Sequence, residues 1–433
     1  MPCFNFLFML TSHPKLWSTV KIVGLHLFLL LAAFSVLLFL GYNSQMPAPD
    51  NLSRWDVGWY LSIVENGYVY QEGQSNVAFF PFFPFLWKAL SLGMRGISVL
   101  NAFLFLGSFI WLAQVFKLSR LQILFFLSVP SIMFMYVPYS EASFFLFSTI
   151  LLVGLYKNNN YLILAGLFLC CVTRSSAVFF VPAVIFTQFS SFQGTNKAGI
   201  SRILYQTLLY LGAVAAAILF VGLVQWQQTG QWFPFFGVQQ YWKHEFKLPV
   251  YPLTTWGGTR LLWLDGPALW FGISAGLFCV YVLVRFFRES MPSIAINRAA
   301  VFSAGYVVAV ALFIIFFQQH SIYSLNRYVF ATPYFIVFLL TLVRQFSFSL
   351  KALCGVFLAS LPLWLLFEAH ERLDGMSHLQ TVWYFILITL YVTATLTLNQ
   401  KHLNRHVIPV LYGINILLQL YLFDIFLKGE WVG

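Results

Sequence analysis

The sequence predicts an all-α polytopic membrane protein, and three observations carry that prediction. Of 433 residues, 60% are hydrophobic and only 9% charged, with a mean hydropathy of +0.80, whereas soluble chains carry about 25% charge. The apolar residues fall in blocks of about 17–22, long enough to cross the hydrocarbon layer as helices. In lipid every backbone amide must be satisfied internally, and these blocks are too long and uniform for barrel strands. The net charge of +11 raises nucleic acid as a partner. Its cations are scattered between apolar blocks, with no Gly-rich phosphate loop or RNA-binding signature. No nucleic acid is expected, and the charge reads as positive-inside topology signalling. The five cysteines are odd in number, sit mostly in apolar blocks and lack metal-ligand spacing, so they imply no disulfide framework.

The first span is expected over Ile22–Leu40, after Lys15 and Lys21, which place the N-terminus in the cytoplasm. No small-residue cleavage site precedes Lys21, so this block stays as a helix. The next apolar stretch, Asn76–Gly93, is short and interrupted by Pro81 and Pro84, which remove helix donors. It reads as an interfacial or re-entrant piece, making residues 43–96 one external loop. Later spans then fall near 97–116, 121–138, 142–156, 204–224, 267–287, 299–317, 328–343, 352–367, 380–398 and 407–427. With that parity Lys117, Arg120, Lys157, Arg202, Arg285, Arg298, Arg344 and Arg405 are cytoplasmic, as the positive-inside rule requires. A second large external loop covers 225–266, and the whole chain, 1–433, reads as one integral membrane domain.

One hairpin departs from simple spans. Tyr161–Phe189 has two apolar arms, each only about 20 Å long as helix. If both return to the same side, Arg174 and Ser175 are held at membrane depth, where an arginine needs a partner and marks a functional position. The other reading stretches the arms so that Arg174 snorkels to the surface.

Residues able to do chemistry are few and lie in the loops. "RWDVGWYLSIVENGY", Arg54–Tyr68, puts Asp56 among Trp55, Trp59 and Tyr60 just outside the first span. A partly desolvated carboxylate can serve as a general base, and aromatic faces suit a sugar ring; a helix cap within an ordinary aromatic belt is the plainer reading. "VPYSEASFF" lets Tyr139–Ser140 close a turn before Glu141, which then occupies the first turn of a helix where the dipole favours a carboxylate. "WFPFFGVQQYWKHEFKLP", Trp232–Pro249, alternates aromatic and polar residues, as a headgroup pocket or a surface helix would. "QQHSIYSLNRYVFATPYF" brings His320, Asn326 and Arg327 before an apolar span. There Arg327 can either grip a phosphate by a bidentate pair or anchor at the interface. No Asp-x-Asp pair or helical His/carboxylate pair appears, so no metal or other cofactor is expected.

Taken in order, "RWDVGWYLSIVENGY", "AFFPFFPFL", "PYSEASFF", "VTRSSA" and "NRYVFATPY" resemble the phosphatidylinositol glycan class V (PIG-V) family of mannosyltransferases over roughly residues 50–335. The resemblance implies a GT-C-like glycosyltransferase fold, with about 11–13 transmembrane or re-entrant helices at this chain length. Its donor would be a polyprenyl-phosphate sugar and no metal would be needed. Asp56 matches the first-loop aspartate assigned as catalytic, while Glu141, Arg174 and Arg327 match motif positions. The pattern departs at Gln74, where the family commonly has a glutamate four residues before Ala-Phe-Phe-Pro, and Glu72 lies nearby. The "GWYL" is closer to bacterial members than to eukaryotic enzymes of GPI synthesis.

The expected function is therefore transfer of a hexose, mannose by the resemblance, from a polyprenyl-phosphate donor to a lipid-linked or glycan acceptor, with inversion. Asp56 is the expected catalytic base; Arg327, Arg174, Glu141, His320, Trp55 and Tyr139 are the expected substrate-binding residues. The bilayer is the third partner. The site would face outward from a bacterial cytoplasmic membrane or into the endoplasmic reticulum lumen. The rival readings are a polytopic transporter or lipid flippase, for which Arg174 at depth would suit a substrate path, and an inactive scaffold homologue.

Overall fold

A computed structural model describes residues 14–190, 197–242, 245–249, 259–287, 297–318, 321–345 and 401–433, with scattered positions between 354 and 398. The described residues are helical apart from turns and one isolated bridge between Glu245 and Gln318. Among them, six helices are long and apolar enough to cross a membrane. The protein is a multi-pass membrane protein by that measure. Apart from those scattered positions, the expected spans 352–367 and 380–398 lie outside the described residues, as does residue His320.

Helix α1, Pro14–Phe39, is 26 residues long. Its Leu25, Phe28, Leu31 and Phe39 face outward, as an apolar helix does when its solvent is lipid. The first loop follows. It holds helix α2, Asp56–Asn66, and helix α3, Phe82–Leu90. At nine residues, α3 rises only about 14 Å and does not cross; Pro81 and Pro84 bracket its start, as the sequence suggested. Asn76 folds the loop onto itself, accepting from the Val69 amide and donating to Ser62 Oγ and the Gly67 carbonyl.

Helix α4, Met94–Val115, is the second long helix. The expected span 121–138 does not exist as one helix. Helix α5, Arg120–Ser128, ends before Pro130 and continues as the 3-10 turn Pro130–Met135, because proline cannot donate to the helix ladder. Helix α6, Glu141–Lys157, and helix α7, Asn160–Thr173, form a tight antiparallel hairpin. Gly154 and Gly166 permit the approach. A Cβ on Gly166 would meet Leu151 backbone at 2.7 Å, and one on Gly154 would meet the Ile163 nitrogen at 2.8 Å. Helix α8, Ala177–Ser190, then turns back, so both arms of the second hairpin are 14 residues long.

Helix α9, Lys197–Thr229, and helix α10, Thr259–Phe287, reach into both ends of the segment 225–266. Helix α11, Arg298–Phe317, packs on α8 and α10. The expected span 328–343 is also broken: helix α12, Leu325–Phe330, stops before helix α13, Pro333–Gln345. Pro333 disfavours helix at the residue before it. Helix α14, Lys401–Leu427, runs beside α1 and α5. The principal core lies between these helices and is dominated by phenylalanines such as Phe83, Phe105, Phe109, Phe134 and Phe145.

Candidate functional site

Asp56, Glu141, Arg174 and Arg327, drawn from four separate sequence segments, meet in one buried ion network. Arg327 Nη2 lies 2.7 Å from Asp56 Oδ2, and Arg327 Nε donates to Glu141 Oε1. Arg174 Nη1 donates to the same Glu141 oxygen. Two carboxylates thus face two guanidiniums, and the net charge of the group is zero. Charges this enclosed are tolerated only when paired.

Each member is positioned by local structure. Glu141 opens α6, and the turn before it is held by Asn101 of α4, whose Nδ2 donates to the Val137 and Tyr139 carbonyls at 2.7 and 2.8 Å. Arg174 ends α7. Because α6 and α7 are antiparallel, the start of one and the end of the other lie together. Arg174 therefore meets Glu141 inside the protein. Asp56 opens α2 after Trp55, whose φ of 55° is unusual for a side-chain-bearing residue. The Trp55 indole donates to the Glu430 carbonyl at 3.1 Å and meets Trp431 edge-on at 4.8 Å, which holds that backbone. Tyr60, one turn along α2, donates to Ser140 Oγ at 2.8 Å and ties α2 to the Glu141 turn.

Arg327 is the more enclosed of the two arginines, with a side-chain exposure of 5% against 13% for Arg174. Its guanidinium lies over Tyr139 at 4.4 Å and over Phe134 at 5.3 Å, two rings nearly parallel to each other. Its Nη1 donates to the Gly433 carbonyl at 3.3 Å. Burial works against its charge, but the Glu141 and Asp56 carboxylates more than offset it and hold the guanidinium protonated. Burial, reinforced by Asp56, raises the Tyr139 phenol well above its usual range, so Tyr139 serves as a neutral aromatic floor.

The two carboxylates differ in access. Glu141 has a side-chain exposure of 2% and bridges both arginines, whereas Asp56 has 18% and contacts one. Asp56 is the carboxylate a substrate can reach. Three residues along α2, Trp59 joins Phe79 at 6.1 Å and Trp242 at 5.7 Å in an aromatic cluster that bridges the two large loops.

Arg174 also borders a groove, a cavity of about 830 Å³. Its walls are apolar side chains of α8, α9 and α11, among them Phe179, Val214, Ile218 and Phe313, and it reaches Tyr306 and Tyr328. The Arg174 guanidinium lies over the Tyr328 ring at 4.9 Å and the Phe144 ring at 5.7 Å. The charged network thus has an apolar channel at its Arg174 side.

Two expected residues fall outside the ion network itself: Trp55 adjoins it through the backbone of Asp56, and Tyr139 floors it. The sequence reading missed Asp265 and Ser131. Asp265, fully buried, accepts from both the backbone and side-chain amides of Asn326 at 3.0 and 2.7 Å, and Ser131 donates to Asn326 Oδ1. Together they fix the residue before Arg327. An aspartate within an apolar helix was the available signal. Among the described residues no group of three histidine, cysteine or acidic side chains is placed to hold a metal. Comparison of the chain with known protein families, curated proteins and solved structures gave no match.

Proposed function

We propose that this chain is a GT-C-like membrane glycosyltransferase of the PIG-V type, moving a hexose, mannose by resemblance, from a polyprenyl-phosphate donor to a lipid-linked or glycan acceptor. The observation that carries the reading is the convergence of Asp56, Glu141, Arg174 and Arg327 beside an apolar groove. A donor with a long isoprenoid tail and one phosphate needs that combination: an apolar channel ending at fixed cations. The tail would lie along α8, α9 and α11, with its phosphate meeting Arg174 first.

The acceptor hydroxyl would attack the anomeric carbon as the bond from that carbon to the phosphate oxygen breaks. Polyprenyl phosphate leaves with the bonding electrons, and the hydroxyl proton passes to Asp56. In the resting arrangement Asp56 is paired with Arg327. An arriving phosphate competes for that guanidinium and frees the carboxylate for its proton. Fixed cations that receive charge as it develops on the leaving phosphate supply transition-state stabilisation without reorganising solvent. Glu141 keeps the two arginines together before the donor arrives. The Trp59–Phe79–Trp242 cluster offers flat apolar faces on which a sugar ring can pack.

The test is reconstitution. Purified protein in vesicles, given radiolabelled polyprenyl-phosphate mannose and lipid-linked or glycan acceptors, is expected to yield labelled product with inverted anomeric configuration. Movement of the donor lipid between leaflets without any labelled product would favour the flippase reading instead.

A further inference from the structure

We propose that residues Glu430–Gly433 form a strap over the ion network that the donor phosphate displaces, so that arrival of the donor uncovers Arg327 and frees the start of α2. This rests on the transferase reading, since the displacing ligand is the donor of that reaction. Where α14 ends, the Gly429 amide donates to the Phe426 carbonyl and the Glu430 amide to the Ile425 carbonyl, and the chain turns. Residues 430–433 then run on without helix or strand. They touch both groups that the chemistry uses. The indole of Trp55, the residue before Asp56, donates to the Glu430 carbonyl at 3.1 Å. Trp431 meets the rings of Trp55 at 4.8 Å and Tyr323 at 6.4 Å. Val432 is 1% exposed, and the Gly433 carbonyl accepts from Arg327 Nη1 at 3.3 Å.

The strap covers the edge of Arg327 that a phosphate needs. Arginine grips a phosphate best through two parallel N–H bonds. Arg327 Nε is committed to Glu141, so the pair able to do this is Nη1 and Nη2. Asp56 holds Nη2 at 2.7 Å, and Gly433 holds Nη1. A bidentate phosphate on that edge has to displace both. Of the three contacts the one to Gly433 is the longest, just outside the usual N–H···O range, and it costs least to exchange. Segments without regular structure also open at lower free energy than packed helices. Glu141, which is 2% exposed and bridges both arginines, stays in place.

The two ends of the strap make the exchange concerted. One end is bonded to Trp55 and the other to Arg327. When phosphate oxygens replace Gly433 and Asp56 on the guanidinium, Asp56 loses its contact and the turn at Trp55 loses the Glu430 carbonyl. Before the donor arrives, the strap keeps Asp56 and Arg327 closed on each other. The base is thereby withheld until the leaving group is in position. A Cβ on Gly433 would meet the Phe134 ring at 2.9 Å, so glycine at that position lets the carbonyl come up to Arg327.

The experiment uses the whole chain in vesicles, with radiolabelled polyprenyl-phosphate mannose and no acceptor, so that the donor binds without turnover. One readout is donor affinity. The other is the rate at which Val432→Cys, in a cysteine-free background, reacts with an impermeant thiol reagent. That cysteine is expected to react slowly alone and at least about tenfold faster with saturating donor, as the open form becomes populated. Gly433→Ala, whose Cβ presses the strap off Phe134, should raise donor affinity about tenfold, the worth of one hydrogen bond to a charged group. Trp431→Ala, which removes the contact with Trp55, should shift affinity in the same direction. If either variant folds poorly, the cysteine readout decides alone. Donor that binds without speeding the cysteine reaction, or binds no more tightly to folded Gly433→Ala, would overturn the strap and leave the transferase reading standing. Wild-type protein that binds no donor at all would remove both.

Discussion

Asp56 and Glu141 both pair with Arg327, yet their amide substitutions should fail in opposite ways. Glu141 is 2% exposed and its Oε1 accepts from two guanidiniums. Glu141→Gln leaves two buried guanidiniums with one carboxylate between them and Arg174 with none in contact, and breaking a buried pair in this way costs about 3–5 kcal/mol. Asp56 is 18% exposed and holds one contact. Asp56→Asn keeps a carbonyl oxygen that can still accept from Arg327 Nη2, so with solvent screening its stability cost should be about 1 kcal/mol. Its effect on transfer should be much larger, a fall of about 10²–10⁴ with the general base removed. Asp56→Glu should recover little, because a displacement of about 1 Å can cost about 100-fold. The assay compares labelled-sugar transfer at matched protein amounts, alongside thermal midpoints from size-exclusion chromatography in detergent. Near-normal transfer by Asp56→Asn would refute the base assignment. A wild-type midpoint in Glu141→Gln would refute the account of Glu141 as the clamp between the arginines.

Other expectations bear on the donor, the packing and the topology. Arg174→Ala should weaken donor binding more than Arg174→Lys, since lysine keeps a point charge but loses the planar fork; equal donor affinity in both would remove Arg174 from the donor site. Arg327→Lys should retain part of the transfer lost in Arg327→Ala, measured in the same vesicles. Gly166→Ala should lower the thermal midpoint by an amount equivalent to about 1–3 kcal/mol, because its Cβ would press on the Leu151 backbone; an unchanged midpoint would mean the α6–α7 hairpin yields freely. In a cysteine-free background, single cysteines at Gln71 and Gln240 should react with an impermeant thiol reagent from outside, and one at Asn159 should be protected until the membrane is opened. Opposite labelling at Gln240 would reverse the parity derived from the basic residues.

Some of the site was legible in advance because it depended on local rules. The proline-bracketed stretch Asn76–Gly93 could not make a long helix, and it does not. The meeting of Glu141 and Arg174 follows from counting: a 17-residue helix and a 14-residue return of similar rise bring a residue at the start of one beside the end of the other. The breaks at Pro130 and Pro333 were also written in the residues, yet continuous spans were expected there because hydropathy averages over a proline that the hydrogen-bond ladder cannot ignore. Asp265 escaped notice for a related reason: one acidic residue hardly alters the hydropathy of its block, although its burial against Asn326 is decisive for the loop.

By itself, the sequence determined what kind of solvent this chain meets, where its apolar helices are, and which few ionisable residues must find partners. Those are consequences of composition and of helix geometry, which act over a few turns. The tertiary structure alone decided that Arg327 closes on Glu141, 186 residues away in the chain, and on Asp56. It also decided which carboxylate is enclosed and which is accessible, and that Arg174 rather than Arg327 borders the apolar groove. A low-dielectric interior forces charges to pair, but it does not choose the pairs. That choice belongs to the packing of helices whose contacts span the whole chain.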